Sequence, residues 1–269
     1  YHQSTPATVW DYYGLSAEEA QRGGMNPTMF NSFLDGTKSA IEMAAVANAC
    51  ELLPAAAGLQ FPACSTGELP QLLKPRDHGG TLEAAGTVEV ISSLTRDGAE
   101  VDNDLRWGVY VTFAGDSDYA RRCFREYGLV TDSEGRYCAL YRPSHLIGLE
   151  LGMSVASAAL RNESIGRAQI FNADVVAVAK RPLAAGEVLD GEGGYTVWGK
   201  LQPAADSLRT GALPLGLCRG ARLRRALAQG EVVRRADVVA DESSRAWRVR
   251  GDMEADSGYS IAPRETRSI

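Results

Sequence analysis

An internal repeat constrains the fold more than any other feature of this sequence. Lys180-Arg181-Pro182-Leu183-Ala184-Ala185-Gly186-Glu187-Val188-Leu189 is echoed by Arg224-Arg225-Ala226-Leu227-Ala228-Gln229-Gly230-Glu231-Val232-Val233. Each copy sets a basic residue and a leucine ahead of a small-residue turn at glycine, then resumes with Glu-Val. Glycine enters the left-handed backbone region without steric cost, so it marks a tight turn between extended segments. Two strand–turn units of one design predict a small all-β domain over residues 166–255, built from two related halves. The polar stretch Arg161-Asn162-Glu163-Ser164-Ile165-Gly166 reads as the linker before it.

Upstream of that linker the pattern is mixed. Ser16-Ala17-Glu18-Glu19 is a capping box opening a short helix that Gly23-Gly24 ends, and Asn26-Pro27 restarts the chain. Residues 40–49 are alanine-rich and apolar nearly all round, which predicts a buried helix. Residues 58–80 turn to Pro, Gly and mixed polar residues and read as a long loop. Strands are expected over 87–91, 107–113 and 137–141, where β-branched and aromatic residues alternate with others. A short amphipathic helix is expected over 118–127. A second apolar helix is expected over 146–160, where Gly148 and Gly152 suggest close packing against a neighbour. The fold class is therefore α+β: mixed helices and sheet over residues 1–165, the small β domain over 166–255, and a polar, frayed tail over 256–269.

The net charge of −6 argues against broad binding to nucleic acid or an anionic membrane surface. Tyr1-His2-Gln3-Ser4-Thr5-Pro6 has neither the basic nor the apolar region of a signal peptide. The longest apolar stretch, residues 40–59, is interrupted by Glu42, Asn48, Glu51 and Pro54 and does not suit a bilayer span. Cys50, Cys64, Cys123, Cys138 and Cys218 are odd in number, scattered and never in a C-x-x-C pair. That usage fits reduced thiols acting as small buried hydrophobes in a cytoplasmic protein, not a disulfide framework or a zinc site.

Three clusters could carry chemistry. Asn31-Ser32-Phe33-Leu34-Asp35-Gly36-Thr37-Lys38-Ser39 leads into the apolar helix, and Glu42 lies one turn beyond Lys38. A helix start with hydroxyls, free N–H groups and an ammonium suits an anion, and so polar a group on so apolar a helix is costly unless used. The plain alternative is a capped helix with one buried, paired lysine. Arg142, Ser144 and His145 precede the second apolar helix, again suited to a phosphate or carboxylate, or simply to a helix cap. Asp190-Gly191-Glu192-Gly193-Gly194-Tyr195-Thr196 lies between the repeats and reads as a flexible loop over an active site or as a turn connector. His2 and His78 carry little signal, and no grouping has transition-metal spacing. No G-x-G-x-x-G follows a strand, and no P-loop is present.

These segments together resemble the homoserine-dehydrogenase-like oxidoreductases that end in an SAF domain. The resemblance rests on the run from Tyr1-His2-Gln3-Ser4-Thr5-Pro6 through Asp35-Gly36-Thr37-Lys38-Ser39-Ala40-Ile41-Glu42. It continues in Arg106-Trp107-Gly108-Val109-Tyr110 and in Tyr141-Arg142-Pro143 with His145-Leu146-Ile147-Gly148-Leu149-Glu150. Gly191-Glu192-Gly193-Gly194-Tyr195-Thr196-Val197 and the two Gly-Glu-Val units resemble the SAF part, a β-clip fold. The match runs to about Val239 and is strongest to the 1-deoxy-D-xylulose 5-phosphate reductoisomerase-like group.

The resemblance implies a substrate and dimerisation domain followed by an SAF domain, with the Rossmann domain upstream of Tyr1 binding most of the NADPH. It implies reductive isomerisation of 1-deoxy-D-xylulose 5-phosphate on the route to isoprenoids, in a cytoplasmic homodimer. Lys38, with Thr37 and Ser39, is expected on the alkoxide side, Glu42 and Asp35 as orienting partners. Asn31, Arg142, Ser144, His145, Gly194, Tyr195 and Thr196 are expected to bind substrate, Arg142 and His145 at its phosphate. Glu42 and Glu150 could also ligate a divalent metal. Two alternatives stay open: a dehydrogenase of a homoserine- or semialdehyde-like substrate without isomerisation, and a non-enzymatic SAF ligand-binding or assembly module.

Overall fold

Both copies of the repeat form the expected turns in the computed structural model, which describes residues 2–255. Gly186 and Gly230 adopt φ of 84° and 79°, and each turn is closed by an arginine–glutamate pair, Arg181 with Glu187 and Arg225 with Glu231. The strand Ala173–Ala179 runs antiparallel to Val197–Pro203, with Ala179 opposite Val197. Leu183, Leu189, Leu213, Leu223, Leu227 and Val233 from both halves fill one core. The region is not purely β. Ala204–Thr210 is a helix with Asp206 in its first turn, Arg209 in its last and Gly211 as a left-handed cap, and Arg245–Ala255 is another.

Packing divides the chain close to the boundary expected near residue 165, between residues 167 and 168, but also at a second place, between residues 59 and 60. Residues 2–59 form one compact unit with residues 168–255, and residues 60–167 form the other. A two-stranded sheet needs a covering element to be stable, and the Thr37–Cys50 helix supplies it by packing on Ala173–Ala179 and Val197–Pro203. Asn48 fastens the contact: its Oδ1 accepts from the N–H groups of Asn172 and Ala173, and its Nδ2 donates to the Ala173 carbonyl. The expectation that this helix is buried all round is corrected. Thr37, Ala40 and Ala47 are sealed against the sheet, whereas Ala45, Val46 and Cys50 are exposed in this chain. Ahead of it, Ala17–Arg22 carries the capping box, as read, and Asn26 caps Pro27–Leu34. Val9, Trp10 and Ala20 pack with Phe30 and Leu34 into a satellite core.

The second unit is built on an antiparallel sheet ordered Val109–Ala114, Tyr137–Arg142, Val130–Thr131, with Tyr110 opposite Tyr141. The Asp118–Glu126 helix, capped by Ser117, packs near its short strand. Cys64, Leu69, Leu73 and Ala139 form the core. The loop expected over 58–80 is less structureless than that: Leu69–Leu72 is a helical turn that supplies Leu69 to this core, and Leu73 follows it directly. The strand expected over 87–91 is confined to Thr87–Val88.

The helix expected over 146–160 also differs. It begins at Leu151, runs to Ala156 and widens into a π-helical segment over Ser157–Arg161, because Gly148, at φ 83°, breaks the register. Among the described residues, no neighbour lies within 4 Å of where a Cβ would stand on Gly148 or Gly152, so the expected close packing is not found among them. Ile147, Leu149, Met153 and Leu160 are 76%, 82%, 71% and 84% exposed. All five cysteines are free thiols; Cys64, Cys138 and Cys218 are buried as expected, while Cys50 is exposed. The tail expected over 256–269 lies outside the described residues.

Candidate functional site

The start of the Thr37–Cys50 helix is unusual in its cap. Gly36 occupies the capping position at φ 85° and has no side chain to offer, so Asp35 takes the role: its Oδ1 accepts from the Thr37 N–H at 2.9 Å. The Thr37 hydroxyl oxygen accepts from the Gly199 N–H at 2.8 Å, tying the helix start to strand Val197–Pro203. The other Asp35 oxygen forms an ion pair with Lys180 Nζ at 2.6 Å, with both side chains wholly sealed from solvent. Lys180 also donates to the carbonyls of Gly194 (2.7 Å) and Ser4 (3.1 Å). Asn31 Nδ2 reaches the carbonyls of Gly193, Gly194 and Ser4. The His2 ring stacks on Trp198 at 3.9 Å, with Nδ1 2.5 Å from the Asp35 carbonyl.

This arrangement sorts the residues read from sequence. Asn31, Asp35 and Thr37 are fully buried, and Asn31 Nδ2, both Asp35 carboxylate oxygens and the Thr37 hydroxyl are engaged within the chain, while Asn31 Oδ1 has no hydrogen-bond partner among the described residues; they frame a site more than they line it. The anion cradle expected at Thr37 is corrected accordingly: its N–H and its hydroxyl already have partners. Lys38, the next residue, is the group that reaches solvent. Its side chain is 34% exposed and 3.9 Å from Glu42, not the buried pair that was the plain alternative. Ser39 is half-buried beside it.

The glycine-rich loop is fixed, not flexible. Asp190 accepts from the Tyr195 and Thr196 N–H groups and from the Thr196 hydroxyl. A Cβ on Gly194 would meet the Asp190 carboxylate, and one on Gly193 would stand 1.9 Å from the Thr28 carbonyl oxygen. Gly194 and Thr196 are thus structural here, and of the three residues expected to bind substrate only Tyr195 is exposed, with Arg181 5.2 Å over its ring.

Within the 60–167 unit, Arg142 ends its strand, lies 60% exposed and pairs with Glu150, whose second oxygen accepts from the Leu146 N–H at 2.9 Å. His145 donates its backbone N–H to the Trp107 carbonyl at 3.0 Å, and its ring Nδ1 lies 3.1 Å from the same oxygen. Since the helix begins only at Leu151, Arg142, Ser144 and His145 sit on a closed turn, not at a helix N-terminus. The divalent-metal reading fares no better. Glu42 is paired with Lys38 and Glu150 with Arg142, and among the described residues no three His, Cys, Asp or Glu side chains are grouped to hold a metal ion.

Two groups escaped the sequence reading. His78 hydrogen-bonds the Tyr137 hydroxyl, and the buried Lys74 pairs with Asp132 at 2.8 Å. Burial would raise the Asp132 carboxyl, but Lys74 and the N–H groups of Tyr137 and Arg136 hold it below the usual range. Lys180 was the larger omission, and a signal for it existed: the repeat carries lysine there and arginine at position 224.

Residues 1–151 match the family model of the oxidoreductase DRL catalytic domain, and residues 174–239 match the SAF domain. The chain belongs to the oxidoreductase DRL family. In this DRL oxidoreductase, Asp35, Lys38, Arg142, His145 and Glu150 fall inside the catalytic-domain match, and Lys180 and Gly194–Thr196 inside the SAF match. The buried ion pair Asp35–Lys180 therefore joins the two matched segments within one compact unit. No curated protein matches the chain. Among the described residues, no helix is long and apolar enough to cross a membrane.

Proposed function

We propose that this DRL oxidoreductase converts 1-deoxy-D-xylulose 5-phosphate to 2-C-methyl-D-erythritol 4-phosphate, with NADPH as reductant, in isoprenoid precursor synthesis. The observation that carries the reading is Lys38, a solvent-reaching ammonium one residue beyond a helix start that Asp35, Thr37 and Gly199 hold in place. A charge fixed in advance stabilises negative charge developing on a substrate oxygen without reorganising as the reaction proceeds. Lys38 serves the alkoxide and Glu42 orients it. Within the 60–167 unit, Arg142 and His145 are assigned to a phosphate, Arg142 exchanging Glu150 for it.

Bound nicotinamide would supply the hydride. No G-x-G-x-x-G follows a strand in this sequence, and we assign none of its residues to the cofactor. The exposed apolar side chains of Ile147, Leu149, Met153 and Leu160, close in sequence, are assigned to contact with a second copy of the chain, since exposed apolar side chains gathered in one segment are costly unless covered.

The test is the carbon skeleton of the product. The full oxidoreductase, given the ketose phosphate and NADPH, is expected to yield the branched tetrol phosphate by carbon NMR. An unbranched reduced product would replace this reading with a plain dehydrogenase, and no oxidation of NADPH would reject both.

A further inference from the structure

We propose that Lys180, from the SAF segment, is a positioning residue for Lys38: it fixes Asp35, which in turn fixes the first turn of the helix that carries Lys38. The chain has four lysines against 24 arginines, so lysine at a buried position stands out against the chain's own usage. The repeat supplies an internal control. At the equivalent place Arg224 donates to the Val238 carbonyl of its own domain, whereas Lys180 turns to Asp35, Ser4 and Gly194. Arginine offers a planar fork; an ammonium is compact, with three donors that can be aimed at three oxygens. Three oxygens at 2.6–3.1 Å are what Lys180 meets.

The chain of contacts from Lys180 to Lys38 is short and has no slack. Lys180 neutralises Asp35, Asp35 caps the Thr37 N–H, and Thr37 is bonded through its hydroxyl to Gly199. Lys38 follows directly. Without Lys180, Asp35 is a buried anion with no countercharge; it turns away and releases the cap, or takes up a proton and accepts from the Thr37 N–H more weakly. The SAF segment thereby acts on the catalytic-domain segment without contributing an exposed group at this place. The inference rests on Lys38 being the working ammonium only where turnover is the readout.

The experiment first reads Lys38 itself, in the full protein. Lysines are methylated with 13C-formaldehyde and followed by NMR, Lys38 being assigned from a Lys38→Arg sample; half-buried Lys200 serves as the reference. In Lys180→Met, the Lys38 signal is expected to shift and its methylation rate to rise at least threefold, with Lys200 unchanged. Should Lys180→Met fail to fold, Asp35→Ala with Lys180→Met removes the ion pair and the cap acceptor together and decides in the same way. A Lys38 signal superimposable on wild type in a folded variant overturns the proposal, as does an equal change at Lys200, which would mean general loosening. On wild-type protein, the Thr37 amide should exchange at least tenfold more slowly than those of Lys38 and Ser39; equal rates also overturn it. In turnover, Lys180→Met should lower kcat about tenfold with KM within threefold. If Lys38→Ala leaves turnover intact, the proposed reaction falls while the labelling result still decides the positioning role.

Discussion

Leu183 and Leu227 occupy equivalent places in the two copies of the repeat and exchange both backbone hydrogen bonds, at 2.9 and 3.0 Å. Around them everything comes in pairs. Gly186 donates to Leu223 and Gly230 to Ala179, both at 2.8 Å, and Arg181–Glu187 mirrors Arg225–Glu231. Neither half could bury its leucine alone, so the halves fold as one. The symmetry breaks where Lys180 replaces arginine, and there the SAF segment reaches outside itself.

Lys38→Ala should separate catalysis from stability. The Lys38–Glu42 pair is partly exposed and spans 3.9 Å, so its loss should lower stability by less than about 1 kcal/mol. Turnover should fall on the order of 10²-fold in kcat with little change in KM, as for removal of one preorganised donor. Steady-state kinetics beside a melting curve makes the comparison. A lower Tm with unchanged kcat would return Lys38 to a structural role.

Arg225 should show its charge through pH. Its hydrogen bond holds the Glu231 carboxyl below the usual range; burial would raise Asp237, but Arg225 and the Arg234 N–H outweigh it and that group too is lowered. Carboxyls depressed on folding contribute stability that is full above their unfolded values of about 4 and is lost as pH falls through the folded ones. The Tm gap between wild type and Arg225→Leu should therefore be widest at pH 7 and narrow below about pH 4. A gap constant across pH would mean that Arg225 acts by packing only.

How much was legible depends on how local the cause is. The Ser16–Glu19 capping box, the restart of the chain at Asn26-Pro27 and the two repeat turns are set by neighbours in sequence, and each appears where it was read. The partner of Asp35 was not legible, because Lys180 lies far away in sequence and only the packing of residues 2–59 with 168–255 brings them together. The same long-range packing gathers residues 2–59 with residues 168–255, a grouping that no local signal announced. At 146–160 the apolar run suggested a helix throughout, but Gly148 in the left-handed region delays its start, and Arg142 and His145 lose the helix N-terminus assigned to them.

Leu149→Glu tests the apolar surface. A carboxylate at a position 82% exposed in the single chain costs little there, but it would be expensive in an apolar contact between copies. Sedimentation should show a dimer for wild type and a monomer for the variant, with Tm at high dilution nearly equal. A monomeric wild type would remove the assignment to a second copy.

Arg142 and Glu150 make the last prediction. As the chain stands, Glu150 holds Arg142, and a phosphate must compete with that carboxylate. Arg142→Ala should weaken a phosphorylated ligand by roughly ten- to a hundredfold, the worth of one or two charge-assisted hydrogen bonds, and an unphosphorylated analogue far less. Glu150→Gln should act in the opposite direction. Its side-chain oxygen can still accept from the Leu146 N–H, so the turn survives, while Arg142 is freed of a competing anion. An exposed ion pair contributes no more than about 1 kcal/mol, so the phosphorylated ligand should bind up to about fivefold tighter. If Arg142 only braces the turn, both substitutions should weaken both ligands alike, or neither. Calorimetry on the full oxidoreductase with the two ligands distinguishes these patterns, and equal losses in Arg142→Ala would leave Arg142 as the turn's structural clasp.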